Sequence, residues 1–383
     1  MGREMDVYRF DADLMREAVA AADKHWKYLH DIPEPAFNEY KTTEYIRKTA
    51  MQYPVTEIDL GMETGFVCWL DAGADRTVAL RADIDALPTE DAPRHLCGHD
   101  SHAATLLGAI HYLSGATDLS NNVLFIFQPA EEGTRGARAL LDHGVLERSP
   151  QFPSCIFGIH NRPEVLCGDV VVHHGPLMSE KSTFRIKYTG RPGHGSLPHK
   201  CIDPVVAGCS FVCSMQTAVS RNTDPFQPVI CTVNSIRGGE PNHASPESAE
   251  MTGYIRSFDH DTHTRLEERV KSLAENIAAA YECSCKCEIT PMVPAVDNKA
   301  EMYEMAMKAA EMAVGTDHIT DASPSLACED FALYGTVIPE FLYWVGSGTP
   351  GKANAPWHDP EFCMDPEYMK TAVPVLCASV ISG

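Results

Sequence analysis

Two hydrophobic patterns divide the chain into stretches of different character. In the first stretch, short apolar runs bounded by turn residues predict buried strands at 77–81, 122–127 and 155–159, with a helix at 102–113 between the first two. A helical spacing of apolar residues also predicts a helix over 11–28. Continuous apolar strands that alternate with helices are typical of a parallel sheet covered on both faces. We therefore predict an α/β fold for this stretch.

The pattern changes near residue 181, where polar and apolar positions begin to alternate. Phe184, Ile186 and Tyr188 share one face of a predicted strand, which is typical of a sheet with one solvated side. Asp203 followed by Pro204 predicts the cap and first turn of a helix to about residue 220. Further along, the pattern predicts two strands, an amphipathic helix and a last strand, at 229–236, 249–258, 266–277 and 283–290. The order β-α-β-β-α-β indicates a ferredoxin-like domain.

From about residue 291 the first pattern returns. Helices are predicted at 300–313 and 368–380, with a buried strand at 341–345. We therefore predict a discontinuous α/β domain, with a mostly parallel sheet flanked by helices, made of residues 1–180 and 292–383. The ferredoxin-like domain is inserted into it at residues 181–291.

Composition narrows the classes of partner. The 383 residues include 31 basic and 53 acidic side chains, a net charge of −22. This charge repels phosphate backbones and anionic lipids, so we expect neither nucleic acid nor a membrane as a partner. No apolar run reaches the ~18–20 residues of a membrane helix, and the N-terminus lacks the apolar region of a secretory signal. We therefore expect a cytoplasmic protein whose 14 cysteines are reduced.

Polar residues of the metal-binding kind follow directly on several predicted strands. In open α/β sheets, ligands bind beyond the carboxyl ends of the strands, so residues at these positions converge. Each has a structural alternative, such as a hydrogen-bonded histidine, a capping aspartate or a solvated pair of glutamates. Together they favour a site for a borderline divalent ion, since cysteine, histidine and glutamate are its usual ligands. The segments are RADIDALP (81–88), CGHDSH (97–102), QPAEEG (128–133), GIH (158–160) and APWH (355–358).

These segments, in this order, resemble the M20 family of metallopeptidases. GHGSLPH (193–199), CEDFALY (328–334) and APWHDPEF (355–362) extend the resemblance over nearly the whole chain. The most similar branch is the amidohydrolase subfamily, which contains hippurate hydrolases, N-acyl-amino-acid amidohydrolases and auxin-conjugate hydrolases. The resemblance implies that the α/β domain binds metal and carries catalysis, and that the inserted domain is a lid and dimerisation domain.

The resemblance also implies two divalent ions per chain. A thiolate among imidazoles and carboxylates suits manganese or zinc, with nickel or cobalt as alternatives. Glu131 matches the family's general base, acting on a water that bridges the ions. Asp83, Asp85 and Asp100 match residues that orient the ligands. The implied ligands are Cys97, His99, Glu132, His160 and His358.

Within the inserted domain, the resemblance implies substrate-binding residues and a homodimer. His194 matches a histidine that donates to the tetrahedral oxyanion, from the same chain or from the partner subunit. Arg256 matches a residue that binds the carboxylate of the leaving group. A substrate-binding asparagine of the family corresponds to Asn242 by residue type and to His243 by spacing, and the sequence leaves both open.

The expected reaction is hydrolysis of the amide bond of an N-acyl or N-aroyl amino acid. A dipeptidase or carboxypeptidase of the same chemistry is the near alternative. A cysteine hydrolase, with Cys97 activated by His99 or His102, and a non-catalytic binding protein are alternatives of other classes. The pair of Glu131 and Glu132 argues against the binding protein, which needs no base beside a ligand. Only eight residues separate Pro88 from Cys97, and this short loop suggests room for bulky acyl groups.

Overall fold

The computed structural model describes residues 10–117, 119–239 and 245–382. The helices are α1 Ala12–His30, α2 Tyr40–Ala50, α3 His99–Gly115, α4 Gly136–Asp142, α5 Pro204–Ser220, α6 His260–Ala280, α7 Ala300–Val314 and α8 Met369–Ile381. The strands are β1 Thr56–Glu57, β2 Phe66–Leu70, β3 Thr77–Asp83, β4 Asn122–Gln128, β5 Cys155–Leu166, β6 Val170–Val171, β7 Gly175–Met178, β8 Glu180–Thr189, β9 Val229–Gly238, β10 Ser248–Ser257, β11 Ser284–Val293, β12 Val296–Asn298, β13 Ile319–Thr320 and β14 Glu340–Gly348.

The large sheet has eight strands in the order β1-β2-β4-β3-β5-β14-β6-β13. Its central strands β4, β3, β5 and β14 are parallel to one another. At one edge β2 is antiparallel to β4 and β1 is antiparallel to β2, and at the other edge β6 is antiparallel to β14. Every residue of β3, β4 and β14 is buried, as their continuous apolar sequences predict. The predicted α/β class, with a mostly parallel sheet flanked by helices, is confirmed.

The chain divides into two compact units. Unit 1 comprises Met1–Gly175, Asp297–Ser323 and Asp330–Gly383, and unit 2 comprises Pro176–Val296 with Pro324–Glu329. Unit 2 thus begins a few residues before position 181 and its main part ends a few residues after 291. It also includes one later segment, 324–329. Each unit has its own cluster of buried apolar residues.

Unit 2 contains a four-stranded antiparallel sheet in the order β11-β8-β10-β9, with α5 following β8 and α6 following β10. This is the ferredoxin-like order that the alternating pattern predicts. Phe184, Ile186 and Tyr188 are buried on the helix-covered side, while the residues between them are more exposed. The side chains of Asp203 and Asp259 cap the first turns of α5 and α6.

The register of the central strands brings the polar segments of unit 1 to one edge of the large sheet. Asp83 at the end of β3 lies beside Gln128 at the end of β4, and Arg81 lies beside Gly158 of β5. Parallel strands therefore deliver the residues after positions 83, 128 and 158 to the same place. Among the helices of the described residues, none is both long and apolar enough to cross a bilayer.

Candidate metal centre

Side chains that can bind metal converge at this edge of unit 1. Within each of three overlapping groups, the potential ligand atoms lie within 4.8 Å of one another. His99 and Glu132 each belong to two of the groups, so the groups form one continuous cluster. The groups are Asp83–His99–His102–His160, Cys97–Glu132–His358 and His99–Glu131–Glu132.

His99, the first residue of α3, stands at the centre of the cluster. Its Nδ1 lies 3.1 Å from Oδ1 of Asp85, so Nδ1 carries a proton and Nε2 is the nitrogen that faces the other side chains of the cluster. Nε2 is buried, has no hydrogen-bond partner among the described residues, and lies 4.0 Å from carboxylate oxygens of both Glu131 and Glu132. Asp85 also accepts the backbone N–H of Glu132 at 3.1 Å. One carboxylate therefore fixes both the His99 ring and the start of the glutamate segment.

The glutamate pair lies in a tight loop after β4. Ala130 has a left-handed φ of 57°, which is unusual for a residue with a Cβ. Its N–H donates to Oε1 of the buried Glu39 at 2.9 Å, and the same oxygen accepts the N–H of Phe37. Burial, with a smaller contribution from Asp85, raises the pKa of Glu39 to about 7. Glu39 thus holds the loop that presents Glu131, and sequence reasoning had assigned it no role.

Cys97 and His160 meet inside the cluster. The Cys97 Sγ lies 3.6 Å from Nε2 of His160, and both side chains are buried. The His160 Nδ1 donates to the backbone carbonyl of Asn161 at 2.9 Å, which leaves Nε2 as the nitrogen that faces Cys97. Burial raises the pKa of the Cys97 thiol and lowers the pKa of His160. Both side chains therefore favour their neutral forms.

His358 enters the cluster from the segment after β14. Its Nε2 lies 3.3 Å from Oε1 of Glu132, and its side chain is 52 % exposed, whereas the other ligand candidates are largely buried. The backbone of His358 has a left-handed φ of 69°, and its N–H donates to the carbonyl of Leu96 at 2.8 Å. Burial raises the pKa of Glu132, but His358 and His99 outweigh it and hold this pKa below its usual range.

His102 is close to the cluster but its ring is already committed. Nδ1 lies 2.6 Å from Oδ1 of Asp83, and Nε2 accepts the backbone N–H of Asn161 at 3.0 Å. Both ring nitrogens of His102 therefore have hydrogen-bond partners. Asp83 also accepts from Arg81 at 2.9 Å. Burial raises the pKa of Asp83, but His99, His102 and Arg81 outweigh it and keep this pKa well below its usual value.

Asp100 has a position different from that of Asp83 and Asp85. Its Oδ2 accepts from Nε1 of Trp26 at 3.0 Å and lies 2.7 Å from Nδ1 of His30, both on α1. Asp85 therefore contacts the ligand candidate His99 directly, Asp83 contacts His102, and Asp100 joins α3 to α1.

The remaining predicted residues belong to unit 2. His194 is exposed, and its Nδ1 accepts the N–H of Ser196 at 3.2 Å, so the ring donates from Nε2. Arg256 donates from Nη1 to the carbonyl of Leu326 at 2.7 Å and stacks over Tyr254 at 5.0 Å. Asn242 and His243 lie outside the described residues.

A buried polar network lies beneath the cluster. Arg81 donates from Nε to Gln128 at 2.9 Å and from Nη2 to Asp330 at 3.2 Å. The N–H of Asp330 donates to Oε1 of Glu131 at 3.4 Å, so the network reaches the glutamate loop. Gln128 and Asp330 belong to the motifs QPAEEG and CEDFALY. Their membership in these motifs was a signal of importance, but the sequence alone did not indicate their role.

The donor set fits divalent ions. A buried imidazole nitrogen without a hydrogen-bond partner, a thiol and two carboxylates meet within ligand distance of one another, and two donors are shared between adjacent groups. Thiolate, imidazole and carboxylate together suit borderline ions such as zinc or manganese rather than calcium or magnesium.

Comparison with known proteins identifies the family to which the chain belongs. Residues 79–382 match Peptidase family M20/M25/M40. The chain belongs to this family. An N-acetylcysteine deacetylase of Bacillus subtilis (strain 168) is 34 % identical over 359 residues, which cover 90 % of this chain and 92 % of that protein. The IAA-amino acid hydrolase ILR1-like 2 of Arabidopsis thaliana is 32 % identical, covering 89 % and 80 %.

A solved M20 structure has the same fold. The Bacillus subtilis YXEP protein, described as a dinuclear metal-binding peptidase of the M20 family, superposes with a TM-score of 0.81 at 30 % identity, covering 97 % of this chain and 98 % of that one. As a member of the M20 family, this chain is a hydrolytic enzyme that acts on amide bonds. The predicted family and enzyme class are confirmed.

Proposed function

We propose that this M20 enzyme hydrolyses the amide bond of N-acyl or N-aroyl amino acids, using two divalent ions. The observation that carries the proposal is the continuous donor cluster around His99 and Glu132. The residues that would hold the ions are Cys97, His99, Glu132, His160 and His358. We propose manganese or zinc, with nickel or cobalt as alternatives. Such ions supply Lewis acidity, which lowers the pKa of a water and polarises an amide carbonyl.

Glu131 is the general base of this proposal. Its carboxylate lies 4.0 Å from Nε2 of His99, inside the cluster. It would take a proton from the attacking water and return it to the leaving amine. Asp85 supports this role by fixing the N–H of the next residue.

Two residues of unit 2 complete the proposal. His194 would donate from Nε2 to the oxyanion, and the acceptor role of its Nδ1 toward Ser196 supports this tautomer. Arg256 would bind the carboxylate of the amino acid. Its Nε has no hydrogen-bond partner among the described residues, and it lines a cavity of about 550 Å³ within unit 2 together with Lys181 and Tyr254. Asn242 or His243 is a further substrate contact.

The short loop before Cys97 is the basis for our proposal that the substrate carries a bulky acyl group. Leu87 and Arg94 exchange backbone hydrogen bonds across this loop, and Arg94 donates to the carbonyl of Pro360 at 2.9 Å. The loop is thus closed into a tight turn. We expect bulky N-acyl or N-aroyl amino acids to be hydrolysed better than their N-acetyl counterparts.

The proposal includes a homodimer through the inserted domain and a cytoplasmic location. β9 lies at an edge of its sheet, with Ile236 43 % exposed, and edge strands readily pair with a second chain. Buried free thiols such as Cys68 and Cys377 fit a reducing compartment. The molar mass in solution, by light scattering, tests the dimer, and a monomeric mass would remove it.

The decisive experiment combines metal content with turnover. Anaerobically purified protein should contain about two divalent ions per chain, and should hydrolyse members of a panel of N-acyl amino acids, N-aroyl amino acids and dipeptides. Glu131→Gln should keep the ions but lose about 10²–10⁴-fold in kcat. Glu147→Gln, at an exposed glutamate, is the matched control and should retain full activity. Full hydrolysis by Glu131→Gln would refute the mechanism, and turnover of dipeptides alone would favour the peptidase alternative.

A further inference from the structure

Asn161 follows His160 on β5 and is completely buried. Nothing in the sequence motifs gave it a role. Yet its side chain and backbone touch three of the segments that form the cluster, and β14. This makes it the common hydrogen-bond partner of parts of the chain that are distant in sequence.

The side-chain amide of Asn161 joins two of these segments by opposite kinds of bond. Its Nδ2 donates to the backbone carbonyl of Cys97 at 2.5 Å, and its Oδ1 accepts from Nε1 of Trp357 at 3.2 Å. Oδ1 also accepts from the hydroxyl of Ser347 on β14 at 3.3 Å. A carboxylate offers no donor to Cys97, and an aliphatic side chain offers neither group. Only an amide of this size satisfies both sides.

The backbone of Asn161 fixes two imidazole rings. Its carbonyl accepts from Nδ1 of His160 at 2.9 Å, which directs Nε2 of that ring toward Cys97. Its N–H donates to Nε2 of His102 at 3.0 Å, which commits Nδ1 of His102 to Asp83. The position of this one residue therefore decides which nitrogen of His160 faces the cluster.

Trp357 carries the effect to His358, its neighbour in the chain. The indole ring of Trp357 packs edge-on against His160 at 4.9 Å and lies under the guanidinium of Arg162 at 4.7 Å. Its Nε1 is bonded to Asn161, so the indole cannot turn without breaking that bond. The left-handed backbone of His358 starts from this anchored residue.

Gly98 leaves the space that the contact between Cys97 and the side-chain amide of Asn161 requires. A Cβ at Gly98 would lie 2.5 Å from Nδ2 of Asn161 and 2.8 Å from Sδ of Met364. The φ of Gly98 is also +85°. Glycine therefore allows the turn between Cys97 and His99 to approach the amide closely.

We propose that Asn161 is a positioning residue that sets the relative positions of Cys97, His160 and His358 for metal binding. It acts through these residues and does not itself bind metal. The inference rests on the proposed function, because it assigns Asn161 a role in assembling that site.

The test compares metal binding with stability. Asn161→Ala and Asn161→Asp should bind manganese or zinc about 10–100-fold more weakly than the wild type, by competition with a chromophoric chelator. After loading with cobalt, both should lose intensity in the thiolate-to-cobalt charge-transfer band. Asn298→Ala is the matched control. Asn298 is equally buried, and it bonds the backbone of Leu342 at 2.9 and 3.0 Å, away from the cluster.

The outcomes separate positioning from general stability. Asn298→Ala should lower the midpoint of thermal unfolding but keep wild-type metal affinity and the cobalt spectrum. Trp357→Phe, which keeps the ring and removes Nε1–H, should weaken metal binding in the same direction and decides the matter if neither Asn161 variant folds. Wild-type affinity and spectrum in the folded variants would overturn the positioning role. Failure of the wild type to bind metal would instead overturn the proposed function.

Discussion

The Nε2 atom of His358 lies 3.3 Å from Oε1 of Glu132, although the whole of unit 2 separates the two residues in sequence. His358 is half-exposed and Glu132 is largely buried, so the pair forms the outer rim of the cluster. The backbone of His358 is left-handed, a conformation that asparagine tolerates better than most residues.

Replacement of His358 should remove one of the two ions. Because Cys97, Glu132 and His358 form one of the donor groups, His358→Ala should lower the metal content from about two ions to about one per chain. His358→Asn should do the same with less effect on stability, since asparagine accepts the left-handed φ. Elemental analysis of purified protein measures this, and unchanged metal content in both variants would exclude His358 as a ligand.

Chelation should abolish activity, whereas alkylation of exposed cysteines should leave it unchanged. Removal of metal by a chelator should abolish hydrolysis and lower the midpoint of thermal unfolding, because ions that bind only the folded state stabilise it. Added manganese or zinc should restore both. Alkylation of the exposed Cys209, Cys213 and Cys363 should leave activity intact, and mass spectrometry identifies the modified residues. Activity that survives chelation but is lost when Cys97 is alkylated would favour the cysteine hydrolase.

Glu39 should matter for turnover through the loop it holds. Glu39→Ala leaves the N–H of Ala130 without its acceptor in a strained conformation, which costs about 1–3 kcal/mol. We expect kcat to fall about 10-fold or more as Glu131 loses its fixed position. Glu39→Gln keeps an acceptor oxygen and should remain close to wild type. Equal kcat in all three proteins would show that the loop needs no such support.

Glu340 should make stability depend on pH. Burial raises the pKa of its carboxyl from 4.5 to about 8, and its Oε2 has no hydrogen-bond partner among the described residues. Between these values the folded chain keeps a proton that the unfolded chain has released. The free energy of unfolding should therefore fall as the pH rises from about 4.5 to about 8, by at most about 1.4 kcal/mol per pH unit.

The variant Glu340→Gln tests this dependence. It cannot ionise, so its thermal midpoint should be higher than that of the wild type at pH 8 and should change less between pH 5 and pH 8. Glu147→Gln, at an exposed site, should follow the wild-type curve. A parallel shift of the Glu340→Gln curve at every pH would show that the carboxyl does not titrate in this range.

The sequence predicted the parts of the fold that depend on local pattern. The continuous apolar runs of β3, β4 and β5 and the alternation in β8 determine which faces are buried, and that information is present in a few consecutive residues. The convergence of residues after Asp83, Gln128 and Gly158 follows from the parallel order of these strands.

Ring orientations and long-range bonds could not be predicted in this way. His99 and His102 lie on the same turn of α3, and only the bond from Asn161 shows that His102 is committed elsewhere. The contact of Arg81 with Asp330 joins residues from opposite ends of the chain. Asn161 itself is an ordinary polar residue within a strand, and its importance depends on partners that arrive through tertiary packing, namely Cys97, His102, Ser347 and Trp357.

The topology of unit 1 has a consequence for protein synthesis. Cys97, His99, Glu132 and His160 leave the ribosome before unit 2 is made, whereas β14 and His358 emerge only after it. Because β14 pairs with both β5 and β6, the large sheet can be completed only after the segment that follows unit 2 has been made. Cys97, His99 and His160 are therefore synthesised before the strand that completes their sheet. The site can form in full only when the C-terminal segment with His358 has been added.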